Sequence, residues 1–121
     1  MTDDKKYDLE NRLVEFAVRI INFSESLPGT KASTHIANQI IRSGTSPAFN
    51  YGEAQSAESK SDFIHKMKIC LKELRETRVG LLMAIKAELI KPPTKLDSLM
   101  DENNQLISIF VKSIQTAEGR K

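Results

Sequence analysis

The stretch from Leu9 to Gly29, LENRLVEFAVRIINFSESLPG, decides the fold class. Leu9, Leu13, Phe16, Ile20, Phe23 and Leu27 recur alternately four and three residues apart, which places all of them on one stripe of a helix. Val14, Ala17 and Ile21 widen that stripe to the breadth a bundled helix needs. Pro28-Gly29 stops it, because a residue before proline is pushed out of the helical region and glycine accepts a left-handed helix end. The spacing predicts a helix from about Asp8 to Leu27.

Working outward, the same periodicity returns three times. A second helix is predicted over about 31–57, opened by Thr30 as N-cap, with Ser33, Ile36, Ile40, Gly44, Pro47, Ala48, Tyr51 and Ala54 facing inward. Pro47 lacks the N–H that would bond the Ser43 carbonyl, so a break or a bend is expected there. The pattern keeps its phase across the proline, which favours one helix kinked at Pro47. A third helix is predicted over about 60–90, begun by Ser59 with Asp62 in its first turn and ended by Pro92-Pro93. Its inner stripe is Phe63, Met67, Cys70, Leu74, Leu81 and Ile85. A fourth is predicted over about 95–118, with Thr94 as cap and Leu96, Leu99, Asn103, Leu106, Phe110, Ser113 and Ala117 inward. Gly119 and the basic Arg120-Lys121 follow it. All connections are short, so successive helices should be antiparallel neighbours. The expected architecture is all-α, an antiparallel up-down four-helix bundle forming a single domain over residues 1–121.

Composition agrees with that expectation. The chain has 121 residues, enough for one core, with 28% charged residues, 6% aromatics and no Trp. A net charge of +2 is too small to declare nucleic-acid binding without a local concentration of charge. A single cysteine, Cys70, excludes an internal disulfide and is read as a small core residue in a reducing compartment. Met1 to Tyr7 holds no apolar run, so no secretory signal is expected. No stretch nears the roughly 18 apolar residues of a membrane span, which makes the cytoplasm the expected location and leaves membranes off the list of partners.

Enzymatic constellations are missing. Neither His35 nor His65 has a Glu three residues before it, as a di-metal bundle requires, and there is no His-Glu-x-x-His helix. No arginine stands four to six residues ahead of either histidine, the spacing used by some small helical ribonucleases. Cys70 and His65, five residues apart, lie too far round a helix to act together. The five glycines are scattered, so no phosphate-cradling loop exists. A non-enzyme with neither metal nor cofactor is expected.

Helical-wheel positions on the third helix gather Lys68, Lys72, Arg75 and Lys86 on one outer strip, with Asp62, Glu73 and Glu76 on the next. The plain interpretation is a solvated face with pairs such as Lys72 to Glu76. The functional one is a nucleic-acid-binding strip that gains strength when several subunits align it. Arg78 falls among Leu71, Leu74 and Leu82 and is expected to need a partner or a route to water. Phe49, Ile69, Val79 and Met83 occupy outward positions, which suggests contact between subunits.

Residues 39–54 (QIIRSGTSPAFNYGEA), 60–66 (KSDFIHK) and 71–77 (LKELRET) resemble the bacterial four-helix-bundle family also called the 23S rRNA intervening-sequence proteins. The resemblance runs from the first helix to the start of the fourth, and its specific part is the Arg-Ser…Asn…Glu segment. It implies four-helix bundles assembled as ring-like homopentamers; some such proteins are encoded in inserts of rRNA genes, hence an old ribosomal-protein label. It also implies a fold similar to the accessory protein of diversity-generating retroelements, a pentameric barrel that binds nucleic acid and a reverse transcriptase. Arg42, Asn50, Glu53, Glu73 and Glu76 match the family's polar pattern and are expected to tie the second helix to the third or to a neighbouring subunit. Pro47 and Phe49 depart from it, standing where Ile or Val and a small residue are usual. Two functions follow as expectations: an oligomeric scaffold binding RNA or DNA through its basic surface, or a protein-interaction adaptor without nucleic-acid binding.

Overall fold

A computed structural model describes residues 4–120, with side chains from residue 9 onward, so Lys121 of the expected basic tail lies outside the described residues. Four helices follow one another: α1 (Asp4–Ser26), α2 (Lys31–Gln55), α3 (Lys60–Lys86) and α4 (Asp97–Ala117), with a 3-10 turn at Pro93–Leu96 before the last. They form the expected four-helix bundle, in which α2 packs most extensively on α3, and α1 meets α4 through the thinnest seam.

The helix starts obey local chemistry. Thr30 Oγ1 accepts from the Ser33 N–H at 3.2 Å, and Ser59 Oγ accepts from the Asp62 N–H at 3.0 Å. Each hydroxyl satisfies one of the donors a helix leaves unpaired at its first turn. Pro47 does not end α2, which continues to Gln55 with the proline buried inside it. Its carbonyl is met by the Cys70 thiol at 3.5 Å.

Three ends differ from expectation, the first being α1, which starts at Asp4 and not near Asp8. α3 stops at Lys86 instead of near Ile90, because Glu88 takes a positive φ of 57°. The Glu88 N–H then bonds the Ile85 carbonyl at 3.1 Å and the Leu89 N–H reaches back to Ala84 at 2.9 Å, the Schellman pattern. Leu89 and Ile90, expected in the last helical turn, pack on the core from a loop. Thr94 does not cap α4; Pro93 opens a tighter turn there, and α4 starts at Asp97 with no side-chain cap.

One cluster fills the interior, running from Leu13, Phe16 and Ile20 through Ile40, Tyr51, Cys70, Leu74 and Leu81 to Leu106, Phe110 and Ile114. Backbones approach closely at two glycines, Gly44 against Ile20 and Gly80 against Ile40. Buried polar groups are used to join helices. Thr77 donates to Ser43 Oγ at 2.9 Å, and the Asn103 amide donates to the Leu74 carbonyl at 3.3 Å. The thin α1–α4 seam is held from outside by Arg12, whose Nη2 and Nε reach Glu102 at 2.7 and 3.0 Å, and by Arg19 on Ser98 at 2.9 Å. Val14 and Ile21, expected to widen the α1 core stripe, are instead exposed, because α1 leaves that side uncovered beside α2.

Candidate functional site

α3 carries the candidate site on the side opposite its core stripe. Residues 68, 72 and 75 fall within a turn or two of one another along one face, as i, i+4, i+7 spacing demands. Lys68, Lys72 and Arg75 line a shallow groove together with Leu71, Glu76 and Val79. Lys86 is exposed in the last turn of α3, about 21 Å along the helix from Lys72, and lies outside this groove. The expected four-residue strip is therefore divided into a clustered part and a lone cation near Met83.

The carboxylates beside the groove decide its charge. Glu76 does not pair with Lys72; it accepts from Arg42 of α2 at 2.7 Å. Arg42 also holds Glu73 at 3.1 Å and reaches Gln39 at 3.4 Å. Its guanidinium is raised above its ordinary pKa, first by the hydrogen bond with Glu76 and then by the charges of Glu73 and Glu76. Glu73, placed by the wheel on an outer strip, is buried against α2 instead. Among the described residues Lys72 and Arg75 have no carboxylate in ion-pair range. Lys68 differs, since its ammonium meets Glu118 at 3.0 Å, a carboxylate that Arg120 also holds at 2.6 Å. The hydrogen bond from Lys68, with Arg120 nearby, keeps the Glu118 carboxyl below its usual range.

The remaining polar residues sort as follows. Glu53 accepts from Lys66 at 2.7 Å and so ties α2 to α3, as Arg42 does through Glu73 and Glu76. Asn50 stays within its own helix, donating to the Ser46 carbonyl at 3.1 Å and hydroxyl at 2.9 Å. Arg78 is exposed, so it takes the route to water and pairs with no carboxylate among the described residues. Phe49 stands outside at 72% exposure, as expected, with Val79 and Met83 also exposed and Ile69 half-buried.

Sequence reasoning missed a feature beside Phe49. Val14, Val18 and Ile21 of α1 share an apolar groove with Ala48 and Phe49 of α2, with Glu10 at its margin. The signal was present: 14, 18 and 21 form their own i, i+4, i+7 stripe, offset from the core stripe. Val14 and Ile21 read as the margin of the core stripe when α1 is covered on that side, and Val18 falls outside that stripe.

Catalytic equipment is sparse. Among the described residues no three His, Cys, Asp or Glu side chains come together in a way that could hold a metal. Cys70 is buried and its thiol is pushed up to about 12, chiefly by burial, while His65 is exposed. No helix is long and apolar enough to cross a membrane.

A family model described as 23S rRNA-intervening sequence protein matches residues 5–112. A crystal structure of a protein with unknown function, from the S23 ribosomal protein family of Bacteroides thetaiotaomicron, is similar, with a TM-score of 0.82 and 34% identity. The similarity covers 88% of this chain and 98% of that one. Among curated proteins, none matches.

Proposed function

The chain belongs to the family of 23S rRNA-intervening sequence proteins, and from that premise we propose that it is a non-enzymatic, self-assembling helical scaffold that holds nucleic-acid backbone on its α3 groove. The observation that carries this is the unneutralised pair Lys72 and Arg75, set beside Lys68 in one groove while the nearest carboxylates are engaged by Arg42. Had Glu76 paired with Lys72, the face would be a self-compensated surface with little to offer a phosphate. One copy offers too few cations for useful affinity. A ring, five subunits by the family resemblance, repeats the groove, and repeated weak phosphate contacts add through avidity. Lysine meets phosphate as a point charge, so binding should show no sequence preference.

Changing Lys72→Glu and Arg75→Glu together tests the reading. Both residues are exposed, with no ion-pair partner among the described residues, so helicity and assembly should be retained in circular dichroism and sedimentation. Binding of a single-stranded RNA at low ionic strength should fall by at least about 100-fold, since each subunit exchanges two attractive charges for two repulsive ones. Unchanged binding would remove the groove from the account. No RNA or DNA binding by the unmodified assembly would leave the protein-interaction adaptor.

A further inference from the structure

Two exposed apolar surfaces of this chain complement each other, and we infer that the α1–α2 groove receives the C-terminal half of α3 from a second copy in a head-to-tail contact. Among the described residues, the large apolar side chains left exposed are Val14, Val18, Ile21 and Phe49, all in the groove, and Val79 and Met83, both on α3. The groove has Phe49 as one wall and is floored by small residues, Thr45, Ala48 and Gly52, which leave room for an inserted side chain. Val79 and Met83 are four residues apart on one helix face, the spacing of anchors that enter such a groove.

Charge selects the partner. The exposed line along α1 reads Glu10, Val14, Val18, Ile21, Glu25, apolar in the middle and acidic at both ends. The exposed line at the end of α3 reads Val79, Met83, Lys86, apolar and then basic. A cation therefore finds a carboxylate whichever way α3 lies. Groove against groove would set the acidic ends of two copies near one another, which is unfavourable. The pairing joins unlike surfaces, so each copy keeps one free groove and one free α3 until a ring closes. The two roles meet at Val79, which also lines the basic groove. The α1–α2 groove spans about 17 Å of α1 from Glu10 to Ile21, against about 40 Å for the whole of α3. Docking over Val79 to Lys86 therefore leaves the Lys68 and Lys72 end of the basic groove uncovered. The contact does not depend on the nucleic-acid reading, which can fail without it.

The test uses the full chain with Val18→Asp in the groove and Met83→Asp on α3. Both positions are about half exposed, so circular dichroism should show the folded helix content unchanged. Sedimentation velocity should find each variant alone dissociated where the unmodified chain is assembled, a weakening of at least about tenfold. Mixing the two is the decisive step. The Val18→Asp chain retains a working α3, the Met83→Asp chain retains a working groove, and together they should form a dimer that grows no further. A mixture that stays monomeric, a Met83→Asp chain that assembles like the unmodified one, or an unmodified chain that is monomeric at tens of micromolar would each overturn the inference.

Discussion

Phe110→Ala is expected to remove about 3–5 kcal/mol of stability, a large share of the roughly 5–15 kcal/mol available to a domain of this size. Phe110 is fully buried at the middle of α4, and its ring meets Tyr51 of α2 edge-on, with centroids 6.0 Å apart and planes at 83°. That geometry adds about 0.5–1.5 kcal/mol beyond burial alone. Burial holds the Tyr51 hydroxyl above its usual pKa, and Glu10 adds to this. Urea denaturation at one fixed protein concentration, which keeps any assembly contribution constant, should show the midpoint fall with little change in slope. A loss below about 1 kcal/mol would mean that α4 packs loosely and that the core is not shared across the bundle.

Gly44→Val should come close to that effect by the opposite route. A Cβ placed at Gly44 would sit 2.8 Å from both Ile20 Cγ1 and Cγ2 and 3.1 Å from Ile20 Cβ. Ile20 is fully buried and branched at Cβ, so it has little freedom to turn away. Replacing a helical glycine by valine should help by only about 0.3–0.5 kcal/mol, and overpacking of this kind costs about 1–3 kcal/mol for each small increment. Valine adds a branched side chain with nowhere to go, so the net loss should reach about 3 kcal/mol as α1 is forced away from α2. Ile20→Ala in the same chain should recover part of that loss, giving a coupling energy of about 1 kcal/mol or more in a double-mutant cycle. Strict additivity would show that the two helices do not cross at this point.

The helices were legible because their stripes repeat at the helical period and because Thr30 and Ser59 cap by a short-range rule. The end of α3 was not legible, since Glu88 takes the left-handed conformation that a sequence announces with glycine. Thr94 looked like a cap only if the helix began there, and the preceding proline pair imposes a tighter turn instead. On the surface, a wheel gives directions but not partners. It placed Glu76 within reach of Lys72, yet Arg42 from another helix captures it, and that exchange leaves Lys72 without a carboxylate in ion-pair range among the described residues. Arg78 and Glu73 sit at the edges of the buried arc, where a small rotation of α3 against α2 decides exposure. Gly80 meets the Ile40 side chain at that crossing, a contact between distant parts of the sequence. The same limit applies to α1, where Val14 and Ile21 read as the margin of the core until the neighbouring helix is seen not to cover them.

The central claim is that an assembly of these chains grips nucleic-acid backbone by charge repeated from subunit to subunit. Titration of a fluorescent single-stranded RNA with the unmodified protein, repeated across a series of salt concentrations with sedimentation recorded in parallel, tests it most directly. The expected result is a multi-subunit species that binds tightly at low ionic strength, is indifferent to base sequence, and weakens as a power of salt concentration. Each neutralised phosphate on a single strand contributes about 0.7 to that exponent, so contacts from several subunits should make it steeper than about 3. Binding that is absent at low ionic strength, or that is carried by a monomer with no salt dependence, would contradict it.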